Sequence, residues 1–114
     1  MNTHIMNLNE EPFKLIKQGT KTIELRLYDE KRQKIFIGDC INFINMNNIN
    51  EVLKVKVKQI YKYKNFKELY KNFDKISIGY KQDEIPNYKD MYLYYTEDDI
   101  KKYGVVAIEI SIII

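Results

Sequence analysis

The chain has one cysteine, one histidine and no tryptophan. Cys40 alone cannot close an internal disulfide. With His4 as the only imidazole, the usual zinc sets and Cys–His nucleophile pairs are excluded within one chain. A Ser-His-Asp triad would have to recruit His4, for which a packing or surface role on the first strand is the simpler reading. No metal and no cofactor is therefore expected. Long apolar runs are missing too: none approaches the roughly 18 residues that mark a membrane span. The longest candidate, "GVVAIEISIII", is interrupted by Glu109 and Ser111 and reads as a buried terminal strand. The opening "MNTHIMNLNE" carries neither a basic region nor a long apolar one, so a cytoplasmic location away from membranes is expected.

What is present fits one compact domain over residues 1–114. The mass is 13.8 kDa and 45% of the residues are hydrophobic, enough for a folded core. A net charge of +3 permits a polyanionic partner, but 16 acids stand against 19 basic residues, so the surface is mixed. Nearly all the basic residues are lysine in a chain rich in Asn and Ile, a bias that base composition can produce unaided.

Strand and helix signals alternate. "HIMNL" reads as a strand. In "NEEPFKLIKQG", Asn9 can cap a helix with Glu10, Glu11 and Pro12 in its first turn, and Gly19 ends it. Phe13 and Ile16 share one face of that helix. "KTIELRLY" is a second strand. A polar turn and a Gly38-Asp39 turn lead to a strand over Cys40–Ile44, and "NMNNINE" reads as a loop. From Glu51 the pattern is clearest, with Leu53, Val55 and Val57 alternating with Lys54, Lys56 and Lys58. "NFKELYKNF" places Phe66, Leu69, Tyr70 and Phe73 at helical spacing. The stretch "DKISIGYKQDEIPNYKDMYLYY" has no clear period and is expected to wrap the sheet. Thr96 caps a last helix that Gly104 closes. The order implies an α+β fold: a small mixed sheet, curled or closed, with short helices at its ends.

The stretch "GTKTIELR" holds Gly19, Lys21, Glu24 and Arg26. Strand alternation puts Glu24 and Arg26 on one face and Ile23 and Leu25 on the other. Lys21 has the opposite parity from Glu24 and can join them only if the strand begins after it or bends there. Lys21 offers a compact cation for a phosphate or a developing oxyanion, and Arg26 a planar fork for phosphate or a base edge. Glu24 can orient the guanidinium, accept from a base amino group or act as a general base. Neutralisation by Arg26 would lower its pKa and favour orienting or binding. The plain alternative is a weak surface ion pair.

The spacing G-x-K-x-x-E-x-R, with the "PFKLIKQG" helix before it and "GDCINF", "FKELYKNF" and "YYTEDDIKKYGVVAIEI" after it, resembles the ASCH domain. That family belongs to the PUA-like group of small β-barrels associated with RNA. The resemblance implies a PUA-like mixed β-barrel with short flanking helices. Its cleft would bind RNA or a nucleotide-like small molecule through Gly19, Lys21, Glu24 and Arg26. Some similar proteins hydrolyse N4-acetylcytidine with a Lys and a Thr of this motif and a distant Glu. Here Lys21 matches that Lys, but Glu24 stands where the Thr would be. Other members are reported as ribonucleases, so a hydrolase using Lys21 and Glu24 is the alternative reading.

Lys54, Lys56 and Lys58, continued loosely by Lys62 and Lys64, can follow an RNA backbone or simply form a solvated strand face that discourages edge pairing. Tyr61, Tyr63, Tyr88, Tyr92, Tyr94 and Tyr95 include candidate platforms for unpaired bases, although most tyrosines in such a chain pack in the core. A protein partner engaging Tyr92 and Tyr94 is a third reading.

Overall fold

A computed structural model describes all 114 residues. Five strands form one sheet in the order β1-β3-β4-β5-β2: β1 (Thr3–Leu8), β2 (Ile23–Leu27), β3 (Cys40–Asn45), β4 (Asn48–Tyr63) and β5 (Val105–Ile112). Only β1 and β3 are parallel; the other neighbouring pairs are antiparallel. Three helices flank the sheet: α1 (Glu10–Gln18), α2 (Phe66–Tyr70) and α3 (Glu97–Tyr103). The sheet is an open half-barrel. Its edge strands β1 and β2 share no backbone ladder, and α1 connects them in the chain.

Two apolar clusters explain the patterning. One face gathers Met6, Leu8, Phe43, Val57 and Ile108 beneath Phe13 and Ile16 of α1. The opposite face of β2 and β5 carries Ile23, Leu25, Leu27, Val105 and Ala107, covered by Phe66 and Leu69 of α2, by Ile78 from the segment after α2 and by Ile100 of α3. β5 is thus buried on both faces, which is why "VVAI" runs apolar without alternation. Burying one such side chain contributes about 1.5–3 kcal/mol, so the sandwiched β5 anchors both clusters. A register shift between Val57 and Gln59 adds a residue to β4. After it, Ile60 continues into the first cluster while Tyr61 and Tyr63 pack on the second.

Two boundaries differ from the sequence reading. The expected loop over 45–51 shrinks to a tight turn at Met46 and Asn47, with β4 already begun at Asn48. The buried Asn45 side chain makes this possible: it accepts from the Asn47 N–H at 2.9 Å and donates to Glu51 at 3.1 Å. The helix expected over 65–73 stops at Tyr70. Phe73 instead packs edge-on against Tyr61 and Tyr63, with ring centroids at 5.4 and 6.1 Å.

Candidate functional site

The end of α1 sets the geometry of the site. Gly19, at φ 89°, adopts the left-handed conformation that closes the helix. The amides of Thr20 and Lys21 then both donate to the Leu15 carbonyl, and those of Thr22 and Ile23 to the Ser77 carbonyl. Regular strand begins only at Ile23. Lys21 therefore lies in a turn, free of the strand's alternation, and its side chain goes inward. It is buried; its Nζ donates to the Ile78 carbonyl at 3.2 Å and lies 3.3 Å from Glu24 Oε1. Gly79 makes room for it: a Cβ there would sit 3.2 Å from Lys21 Cδ.

Glu24 and Arg26 project from β2 opposite Ile108 and Val106, on the α1 side of the sheet. Arg26 Nε donates to Glu24 Oε2 at 2.7 Å, and its Nη2 donates to the Asn7 carbonyl at 2.9 Å. This second bond crosses the gap between β2 and β1 where no ladder exists, so one guanidinium ties the two edges of the half-barrel. Glu24 is only 4% exposed, held between two cations. Burial by itself would raise its carboxyl pKa, but Lys21 and then Arg26 outweigh it and hold the value below the ordinary one. Burial likewise opposes the Arg26 charge, and Glu24 more than restores it.

These three side chains form one wall of a cavity of about 420 Å³. Its volume suits a small organic ligand. The segment after α2 supplies much of the opposite wall, with Ile78, Tyr80, Met91, Tyr94 and Tyr95. Burial pushes the Tyr95 hydroxyl above its usual pKa, and its ring stacks on Phe66 at 5.8 Å and 19°. Two cations against one anion leave the motif with one net positive charge. Arg26 lines the cavity, and its Nη1 has no protein partner and is not sealed from solvent. The arrangement can thus present charged donors to a phosphate, carboxylate or base carbonyl beside aromatic surface.

The other candidates fall elsewhere. Gly19 closes α1 and is not among the residues that line the cavity. Lys54, Lys56 and Lys58 are exposed along β4, outside the cavity. Tyr88 and Tyr92 pack on each other at 6.2 Å, also outside it. His4 pairs with Asp39 at 2.9 Å, where Asp39 also accepts the Asn2 and Phe36 amides. No group of three His, Cys, Asp or Glu side chains is arranged to hold a metal ion. Sequence reasoning missed Asn7, Tyr80 and Asp90, and took Tyr70 only as a helix-face residue; all four line the cavity. Asn7 contributes a backbone carbonyl that any residue could supply, and the others lie in segments whose meeting no local period signals.

An open mixed half-barrel with helices packed on it and a charged cleft at its unpaired edge defines a PUA-like domain. Residues 6–114 match the family model of the ASCH domain, and the chain belongs to that family. It is similar to the crystal structure of hypothetical protein PH0355, with 40% identity over 99% of this chain and 100% of the other and a TM-score of 0.81. Protein PF0455 from Pyrococcus furiosus, solved by NMR, is 38% identical, covers 97% of each chain and has a TM-score of 0.69. A mutant ASCH protein from Zymomonas mobilis shares the fold at 15% identity, over 96% of this chain and 67% of its own, with a TM-score of 0.67. No curated protein matches the chain. No helix is long and apolar enough to cross a membrane.

Proposed function

We propose that the cleft of this ASCH domain binds an RNA segment or a nucleotide-like small molecule, with Lys21, Glu24 and Arg26 as its polar floor. The observation that carries this reading is the buried, net-positive triad facing tyrosines across a cavity of about 420 Å³. That space suits one splayed nucleoside better than a duplex, and aromatic walls beside guanidinium donors are how unpaired bases are held. The RNA association proposed for ASCH domains supports the same ligand class. Lys54, Lys56 and Lys58 would then contribute, outside the cleft, only to a longer strand's backbone. The buried free thiol of Cys40 suits a reducing cytoplasm.

The hydrolase alternative asks Glu24 to take a proton. A carboxylate held by two cations with a lowered pKa is a poor base near neutrality, so the geometry favours binding. Titrating nucleosides and short single-stranded RNAs, with products followed by mass, tests both readings. Lys21→Ala and Arg26→Ala are expected to weaken binding by about tenfold or more, the worth of one charge-assisted hydrogen bond. Replacing Lys54, Lys56 and Lys58 with Ala should spare nucleosides and weaken only RNA, with a shallower salt dependence. Binding unchanged in the cleft variants would refute the assignment, whereas product lost in Lys21→Ala would make the site catalytic.

A further inference from the structure

The wall facing the triad contains a hydrogen-bond chain whose direction is forced. Tyr80 Oη lies 2.7 Å from Asp90 Oδ2 and 3.0 Å from the Asn87 carbonyl. Both neighbours have only lone pairs to offer, so whichever receives it, the Tyr80 proton points toward them. Tyr80 Oη in turn accepts the Asn87 amide at 3.3 Å. Tyr70 Oη lies 3.0 Å from Tyr80 Oη. Because the Tyr80 proton is already committed, Tyr70 must be the donor of that pair. Its own proton is then spent, and its oxygen has no other protein partner.

Tyr70, Tyr80 and Asp90 all line the cavity. Burial, followed by the bond to Tyr80, pushes the Tyr70 hydroxyl well above its ordinary pKa, so it remains a neutral phenol. A lone phenol normally adapts, donating to one ligand and accepting from another. Tethered in this chain, it loses that freedom.

We propose that Tyr70 is a specificity-determining residue of the cleft, held as an obligate acceptor by Tyr80 and Asp90, so that the ligand must present an N–H donor to this wall. This rests on the nucleoside reading of the cleft and narrows it. The expected ligands are bases with an exocyclic amino group; the same ring without that donor leaves the Tyr70 lone pair facing an apolar edge or another acceptor.

Deletion of one donor from an otherwise constant ligand tests this. Cytidine is compared with pyrimidin-2-one riboside, and adenosine with purine riboside, by NMR titration of the full chain. The wild type is expected to prefer the amino-bearing member of at least one pair by about tenfold, a factor within the worth of one hydrogen bond. Tyr70→Phe keeps the ring and should reduce that ratio to near one. Asp90→Asn is the second variant, at an exposed position that carries little folding risk. An amide at residue 90 can donate to Tyr80, whose own proton is then shared between the Asn87 carbonyl and Tyr70; where Tyr80 donates to Tyr70, the Tyr70 proton is released for the ligand. Its preference should fall while some binding remains, an effect that a purely structural role for Asp90 would not produce. Equal affinity within both pairs in the wild type, or a preference surviving Tyr70→Phe, would overturn the proposal and leave the nucleoside reading standing. Wild-type protein that binds none of the four nucleosides would overturn both.

Discussion

Replacing Glu24 with alanine should be the most damaging single change in the cleft. Its carboxylate is the shared anion of Lys21, at 3.3 Å, and Arg26, at 2.7 Å, and all three side chains are largely shielded from water. After Glu24→Ala, Lys21 keeps only the Ile78 carbonyl and Arg26 only the Asn7 carbonyl, so two charges stay in the interior without a counterion. Breaking a buried pair from one side costs about 3–5 kcal/mol. A chain of this size loses roughly 4 °C in Tm per kcal/mol, so thermal unfolding followed by circular dichroism should shift down by roughly 12–20 °C. Arg26→Met in the same background should recover part of the loss by removing one of the orphaned charges, giving a coupling that a double-mutant cycle can read. The pH dependence has a definite sign. The folded carboxyl titrates below its ordinary 4.5, so its contribution is full above that pH and is lost as the solution is acidified beneath it. The alanine variant should lack this part of the acid limb. A loss under about 1 kcal/mol would rank the triad with exposed ion pairs and refute the argument from burial.

Asp39→Asn should cost about 1–3 kcal/mol at neutral pH, because an amide cannot accept from His4, Asn2 and Phe36 together. The His4 hydrogen bond first, and the two amides after the opposing effect of burial, lower the Asp39 pKa from 3.8 to about 2. Its stabilisation is therefore complete above about pH 3.8 and disappears as the pH falls through 2; urea melts across that interval should be flatter in the variant. Gly79→Ala meets both a φ of +110° and the Lys21 side chain. A loss of about 1–3 kcal/mol is expected from the backbone alone. Displacement of Lys21 should also weaken nucleoside binding, and affinity unchanged after correction for unfolded protein would remove Lys21 from contact with the ligand.

Much of the framework is legible in the amino-acid sequence alone. The end of α1 at Gly19, the Thr96 cap, which accepts the Asp99 amide at 3.1 Å, and the separation of Glu24 and Arg26 from Ile23 and Leu25 all follow from rules spanning four residues or fewer, whereas Asn9 precedes α1 without making the side-chain capping bond its residue type suggests. Such signals survive in a one-dimensional string because the interactions behind them are local. The Lys54, Lys56 and Lys58 alternation was equally visible, but periodicity tells which residues share a face and not what that face meets; it meets solvent.

The cleft itself is a product of tertiary structure. Lys21 joins Glu24 against strand parity because the Ser77 carbonyl captures the Thr22 and Ile23 amides and delays the start of β2. Arg26 reaches Asn7 because β1 and β2, adjacent through α1 in sequence, become the two unpaired edges of the sheet. Tyr70, Tyr80 and Asp90 meet through a segment whose backbone is held by side chains such as Asp74, Glu84 and Asn87 rather than by a regular ladder. A segment organised in that way has no period to read. Local chemistry in the chain thus decides which groups are available and which way each faces along its own element. Only the closing of distant segments on one another decides which of them meet, because those contacts are selected by the packing of the whole.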